Sequence, residues 1–340
     1  MEWVRGEQIG RGSFATISKT KPRKGSPLMA VKSSKAFETL ENEKRVLDRI
    51  GTCSQIIKCY GVDKSVENGE CFHNLLLEYA SGGSLSDLVK IHGGRLPEPE
   101  IRRHTRSILK GLSFIHSKGF VHCDIKLQNI LMFDNGTAKI ADFGLAKEIS
   151  TSSQTEPLTL RGTPLYLAPE SVKDNEYECP SDIWALGCAV VEMVTGKPVW
   201  NYTQEPNIWA LLLRIGGEEV PEIPSELSEE GKDFLSKSLI KDSKKRWTAE
   251  MLLNHSFVCG GDDESDNTVI LEESSPRCPL DFPTWEPNSP KFSPDSFNGF
   301  EFSSSSSSNC FTSPENRLRQ LVSGDSANWS FSESWVRVRN

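Results

Sequence analysis

A glutamate stands where a hydrophobic side chain belongs. Over residues 38–50 the apolar positions Leu40, Val46, Leu47 and Ile50 recur on one face of a 3.6-residue period, which predicts a helix packed through that face. Glu43 falls in the middle of the face, whereas Glu38 and Glu41 point away. A carboxylate carried into a core is strongly unfavourable unless a cation and further hydrogen bonds meet it. Any fold of this chain therefore has to deliver a positive charge to residue 43. Lys32 is the candidate. In Ala30-Val31-Lys32 the two-residue period of a strand puts Ala30 and Lys32 on the same face, and an inward lysine needs a carboxylate as much as Glu43 needs a cation.

The flanking sequence says what kind of scaffold could do this. From Gly6 to about Val31, β-branched and aromatic residues alternate with polar ones between glycines and prolines, as in short antiparallel strands. Asn74 to Tyr79 reads as a buried strand, broken by Ser81-Gly82-Gly83-Ser84 ahead of a helix. After Pro97, the spacing of Ile101, Ile108, Leu112 and Ile115 predicts a long amphipathic helix ending near Gly119. Residues 130–133 and 137–140 read as a hairpin around Asp134-Asn135-Gly136, and everything from Tyr177 to Val258 reads as helical. The expectation is a small strand-rich lobe joined to a larger helical one.

The last 82 residues, from Cys259, belong to neither lobe. They hold 18 Ser, 7 Pro, 13 acidic and 6 basic residues, and so account for all but one of the net −8 charges of the 340-residue chain. Such a polar, proline-rich stretch is expected to be disordered. Residues 1–258 are then nearly neutral, which argues against a nucleic-acid surface. Nine cysteines without metal-ligand spacing read as free thiols in a reducing compartment. The longest apolar stretch, Ile183 to Val194, is interrupted by Glu192 and too short for a bilayer. A soluble cytoplasmic protein, also compatible with the nucleus, is expected, with no membrane or nucleic-acid partner.

Glycines lie between the first two strands, in Ile9-Gly10-Arg11-Gly12-Ser13-Phe14-Ala15-Thr16-Ile17, where backbone N–H groups can close over phosphates. Alone the pattern is weak, because hairpin turns look similar. It is followed in order by Ala30-Val31-Lys32 and Glu43, then by His122-Cys123-Asp124-Ile125-Lys126-Leu127-Gln128-Asn129, by Asp142-Phe143-Gly144, by Ala168-Pro169-Glu170, and by Ser181-Asp182-Ile183-Trp184. Six motifs in this order resemble the eukaryotic protein kinases from about residue 3 to about residue 258.

The resemblance implies an α+β, bilobal fold: an N-lobe of residues 1–77 with a five-stranded antiparallel sheet and one helix, a hinge at 78–80, and a mainly helical C-lobe at 81–258. It implies ATP and Mg2+ as cofactors. ATP would lie against residues 9–17, Ala30 and Lys32, with Leu77 as gatekeeper and the backbone of Glu78 to Ala80 reading adenine. Asp124 would be the base or orienting carboxylate, Lys126 would neutralise the transferring phosphate, and Lys32 with Glu43 would complete the catalytic set. Asn129 and Asp142 would hold the metal, as hard oxygen donors suited to a hard cation. Asp182 would brace the catalytic-loop backbone, and Arg246 would pair with Glu170.

Lys126 and the Gly162-Thr163-Pro164 run resemble serine/threonine rather than tyrosine kinases. The stretch Gly162 to Glu170 and Ser181 to Trp200 resemble the MAP kinase kinase kinases, most closely a plant MEKK-like group, which implies a MAP kinase kinase as substrate in a stress or hormone cascade. Two alternatives stay open: a serine/threonine kinase of another pathway, and an inert pseudokinase scaffold. One departure stands out. Cys123 occupies the place of an arginine that normally pairs with an activation-segment phosphate, so a phosphate on Thr159 would lack that partner. In the tail, Ser275, Ser289, Ser293 and Ser313 each precede proline and suggest feedback by a MAP kinase.

Overall fold

The computed structural model describes residues 3–12, 15–21, 27–149, 160–200 and 207–259. The expectations placed on Ser13, Phe14, Thr159 and the tail from residue 260 lie outside the described residues.

The chain opens with strands β1 (Arg5–Arg11), β2 (Thr16–Thr20) and β3 (Met29–Ser34), then helix α1 (Glu38–Ile50), then β4 (Cys59–Glu67) and β5 (Glu70–Glu78). The five strands form one antiparallel sheet in the order β1-β2-β3-β5-β4. In central β3 the two-residue period splits the side chains. Met29 and Val31 join Leu76, Trp3 and Tyr60 on one face, while Ala30 joins Leu75 and Leu77 in the main core. Lys32 shares the face of Ala30 and is itself buried.

Two features of this lobe differ from the sequence reading. Strand β5 begins at Glu70, four residues before Asn74, and β4, which completes the expected five strands, comes from a stretch that the residue pattern does not mark. The β4–β5 hairpin turns at Asn68-Gly69, both with positive φ (53° and 81°), the pattern that a two-residue turn of matching twist requires. Exposed polar residues such as Asp63 and Lys64 hide β4 from a hydrophobicity scan, because its outer half faces solvent.

Two helices follow, α2 (Leu85–Ile91), started by a Ser84–Asp87 capping box, and α3 (Glu98–Ser117), which buries Ile101, Ile108, Leu112 and Ile115. Short strand β6 (Phe120–Val121) leads into the loop at residues 122–126, and the hairpin β7 (Ile130–Met132) and β8 (Ala138–Ile140) follows. Strand β9 (Lys147–Glu148) returns to pair with β6. The remaining helices are α4 (Pro169–Asp174), α5 (Cys179–Thr195), α6 (Ile208–Gly216), α7 (Glu229–Ser238), α8 (Ala249–Leu253) and α9 (Ser256–Cys259). The region from Tyr177 onward is thus not helical throughout: 217–228 and 239–248 are connections. Helix α5 is buried on nearly every face and is the spine of the larger lobe. Among the described residues no helix is long and apolar enough to cross a membrane.

Candidate active site

The buried glutamate meets its cation. Lys32 Nζ donates to Glu43 Oε2 at 2.6 Å and to Asp142 Oδ1 at 2.8 Å, and the Phe143 N–H points at Glu43 Oε1 at 3.4 Å. One ammonium on β3 therefore links α1 to the residue that opens the Asp142-Phe143-Gly144 turn. Burial opposes the Lys32 charge, but the carboxylates of Asp142 and Glu43 outweigh it and hold the amine above its ordinary range. Burial also works to raise Asp142, and Lys32 outweighs it and holds that carboxyl low. Glu43, wholly buried and sharing its cation, is pushed up by burial. Asp142 has a left-handed backbone (φ 65°, ψ 72°), an arrangement that costs a non-glycine residue about 1 kcal/mol or more.

These residues border a cleft of about 150 Å3. Of the positions expected to hold the nucleotide, Ile9, Gly10, Ile17, Ala30, Lys32, Leu77, Glu78 and Ala80 line it, as do Glu43, Asn129 and Asp142. Arg11, Gly12, Ala15 and Thr16 are described but do not. The Gly12 N–H instead donates to Ala15 O at 2.8 Å, closing the turn. Ile57, Tyr79, Asp87, Gln128, Leu131 and Ala141 also line the cleft. Tyr79 belongs to the expected hinge and Gln128 to the motif that contains Asp124, whereas no spacing rule points to Ile57, Asp87, Leu131 or Ala141.

The second cluster sits on the loop after β6. Asp124 Oδ1 accepts the Thr163 hydroxyl at 2.7 Å, Lys126 Nζ donates to Thr163 Oγ1 at 2.8 Å, and Lys126 Nζ lies 3.0 Å from Asp124 Oδ2. Asn129 Nδ2 donates to the Asp124 backbone oxygen at 2.8 Å and to Asp124 Oδ2 at 2.9 Å. Thr163, noted in the sequence only as a mark of hydroxyl specificity, is thus a direct partner of both charged residues. Gly162 sets its approach: with φ at 102°, a Cβ there would lie 2.4 Å from Cys123 O, so only glycine lets the segment pass this close.

Asp182 on α5 fixes the loop from behind. Its carboxylate accepts the N–H of His122 at 2.8 Å and of Cys123 at 2.9 Å, and His116 Nε2 lies 2.9 Å away. Burial would lower the His116 pKa, but the hydrogen bond to Asp182, aided by Cys179, raises it to about 9. Cys123 has a positive φ of 66°, and burial pushes its thiol well up. Arg246, fully buried, grips Glu170 through two nitrogens at 2.6 and 3.0 Å.

Asn129 spends its amide nitrogen on Asp124, which fixes the amide orientation and leaves Oδ1 buried without a partner. An unpaired buried oxygen costs about 1–3 kcal/mol, and this one lines the same cleft as the Asp142 carboxylate. Two hard oxygens of this kind fit Mg2+.

Residues 3–258 match the family described as Protein kinase domain. Among curated proteins of Arabidopsis thaliana, the chain is 52% identical to mitogen-activated protein kinase kinase kinase 20 across the full length of both. It is 42% identical to mitogen-activated protein kinase kinase kinase 17 over 76% of this chain and 70% of that one. With mitogen-activated protein kinase kinase kinase 18 it shares 40% identity over 84% and 85%. Protein kinase domains use ATP and Mg2+, and the chain belongs to this family as an ATP-dependent serine/threonine kinase of the plant mitogen-activated protein kinase kinase kinase group.

Proposed function

We propose that the chain transfers the ATP γ-phosphate to serine or threonine hydroxyls in the activation segment of a MAP kinase kinase, in a stress or hormone cascade. The observation that carries the catalytic reading is the Asp124–Lys126–Thr163 cluster: a carboxylate accepting a hydroxyl at 2.7 Å, with an ammonium 3.0 Å away. In this reading Asp124 orients the substrate hydroxyl and takes its proton. The substrate oxygen bonds to the γ-phosphorus as that phosphorus releases its bridging oxygen, and ADP leaves. Lys126 neutralises charge on the phosphoryl oxygens in flight. Lys32, placed by Glu43, holds the phosphates, and the backbone of Glu78 to Ala80 reads adenine beside the gatekeeper Leu77. Asn129 and Asp142 would hold Mg2+, which supplies charge neutralisation on the phosphates when bound.

The same reading makes residues 1–258 the catalytic domain and residues 259–340 a regulatory segment whose Ser-Pro sites take feedback phosphate from a MAP kinase. Seven cysteines among the described residues are unpaired, which supports the cytosol or nucleus as the working compartment.

The deciding experiment incubates the purified chain with labelled ATP and a panel of catalytically dead MAP kinase kinases, and maps the labelled residues. Label on activation-segment serine or threonine of at least one panel member is expected. Label on a generic protein substrate with none on the panel would place the enzyme in another pathway, and no transfer to anything would make the fold a scaffold.

A further inference from the structure

The catalytic loop supplies no cation at residue 123. Cys123 turns its sulfur to Val121 O at 3.6 Å, yet the segment that begins at Asp142 is well anchored. Besides Lys32 and the β6–β9 pairing, side-chain anchors reach it from α1. Asn42 Nδ2 donates to Gly144 O at 2.8 Å and to Ala146 O at 3.0 Å, so one amide group spans both ends of the turn that follows Asp142. Arg45 Nη2 donates to Asn42 Oδ1 at 2.7 Å. A guanidinium can only donate, so it fixes the amide oxygen outward and the NH2 toward the two carbonyls.

One further turn along, Arg49 grips Glu148 with two nitrogens at 2.5 and 2.6 Å while its guanidinium lies 5.3 Å from the centre of the Phe120 ring. Phe120 and Glu148 are themselves partners in the β6–β9 pair. Arg49 therefore holds the strand that enters the catalytic loop and the strand that leaves the Asp142 turn at the same time. Residues 42, 45 and 49 share one helical face by their spacing, next to the face that carries Glu43.

We propose that Asn42 is a positioning residue, and that with Arg49 and Glu148 it forms a clasp that sets Asp142 against Lys32 without any phosphate on the activation segment. The inference rests on the kinase reading above. The clasp stands in for the phosphate-to-cation contact that an arginine at residue 123 would make and a cysteine there cannot: it fixes the same segment from α1 instead of from the catalytic loop. Turnover by the unphosphorylated chain then depends on Asn42. Asn42→Asp is the sharpest probe, since it keeps the shape but turns a donor facing two carbonyls into a repelling acceptor.

The test uses the full chain after phosphatase treatment, with intact mass proving that no phosphate remains, and reads kcat, both KM values and Tm. The treated wild type should keep activity within about 3-fold of the untreated protein, since phosphate has no cation to order at residue 123. Asn42→Asp should lower kcat by about 10-fold or more, the loss expected when a donor pair is replaced by a repulsion, with the KM for protein substrate little changed. Its Tm should move by no more than ~4 °C. Arg49→Glu and Glu148→Arg should each lower kcat, and the two together should restore most of it.

Wild type that is inactive before phosphatase treatment would overturn the kinase reading itself. Wild type that is active before and silent after it would overturn the clasp alone. The clasp would also fall if Asn42→Asp kept kcat within 2-fold, or if its loss of activity were matched by loss of folded protein.

Discussion

The histidine behind the catalytic loop should impose a measurable pH dependence on folding. His116 sits on Asp182, whose side chain is 1% exposed, and its own side chain is 11% exposed, so solvent screens the pair little. Its pKa rises from 6.5 to about 9 on folding. A group whose folded pKa is raised stabilises fully below its unfolded pKa and loses that contribution as pH climbs through the folded one. The window is therefore pH 6.5 to 9, and at 1.36 kcal/mol per pH unit the group contributes about 3 kcal/mol at its lower edge. For a domain of this size that corresponds to roughly 6–12 °C in Tm.

The assay compares wild type with His116→Gln at pH 6.5 and pH 9, so that other titrating groups cancel in the difference. Wild type should be the more stable of the two at pH 6.5, and the gap should close by pH 9. Because Asp182 also accepts the N–H groups of His122 and Cys123, turnover of the variant should fall together with its stability at low pH. Parallel Tm curves for the two proteins from pH 6.5 to 9 would refute the reasoning, since no differential proton uptake could then reside on His116.

Other outcomes follow from the same geometry. Lys32→Met should leave a folded protein with turnover reduced about 100-fold or more, because phosphoryl transfer depends on positioned charge; steady-state kinetics beside circular dichroism checks this, and activity within a few-fold of wild type would remove Lys32 from its role. Asp142→Asn should raise the Mg2+ concentration needed for half-maximal rate while lowering that rate, whereas Asp124→Asn should spare nucleotide binding measured by calorimetry and lose turnover. Arg246→Met leaves Glu170 and several carbonyls buried without their donor, so denaturant unfolding should show a loss of about 3–5 kcal/mol. Gly162→Ala should cost about 10-fold in kcat through displacement of Thr163 from Asp124, a shift of the order that disturbs positioned chemistry, with Tm reporting whether the chain still folds.

How much of this was legible depends on the range of the interaction. The helix at 38–50 declared itself because its stripe is local, and Glu43 declared a need because a buried carboxylate is an anomaly whatever surrounds it. The hairpin at 130–140 was visible in Asp134-Asn135-Gly136. Its counterpart at Asn68-Gly69 carries an equally good turn signal, but β4 lies at the sheet edge with Val62 and Val66 exposed beside Asp63 and Lys64, so its apolar residues do not mark a buried face. The non-helical stretches at 217–228 and 239–248 were lost for a different reason: their apolar residues, such as Leu227 and Leu239, are buried against α5 and α7 and keep a core-like composition without a helical period.

The site divides along the same line. Motif residues are found in sequence because the chemistry restricts their type, but the residues that aim them are not so restricted. Asn42 reaches its partners 102 and 104 positions away, and any polar residue on an exposed-looking flank of α1 would read the same in one dimension. Asp182 was recoverable because it lies within a motif, while His116, which bridges to it from α3, was not, since a histidine near the end of a helix is commonly a solvated C-terminal charge. What the sequence withholds is thus the layer that turns an inventory of reactive groups into an ordered site. In this chain that layer is built from α1, α3 and α5 gripping the two segments that carry Asp124 and Asp142. A substitution in it should alter turnover more than nucleotide affinity, because it changes how the charged groups are aimed and leaves in place the apolar walls that hold the base.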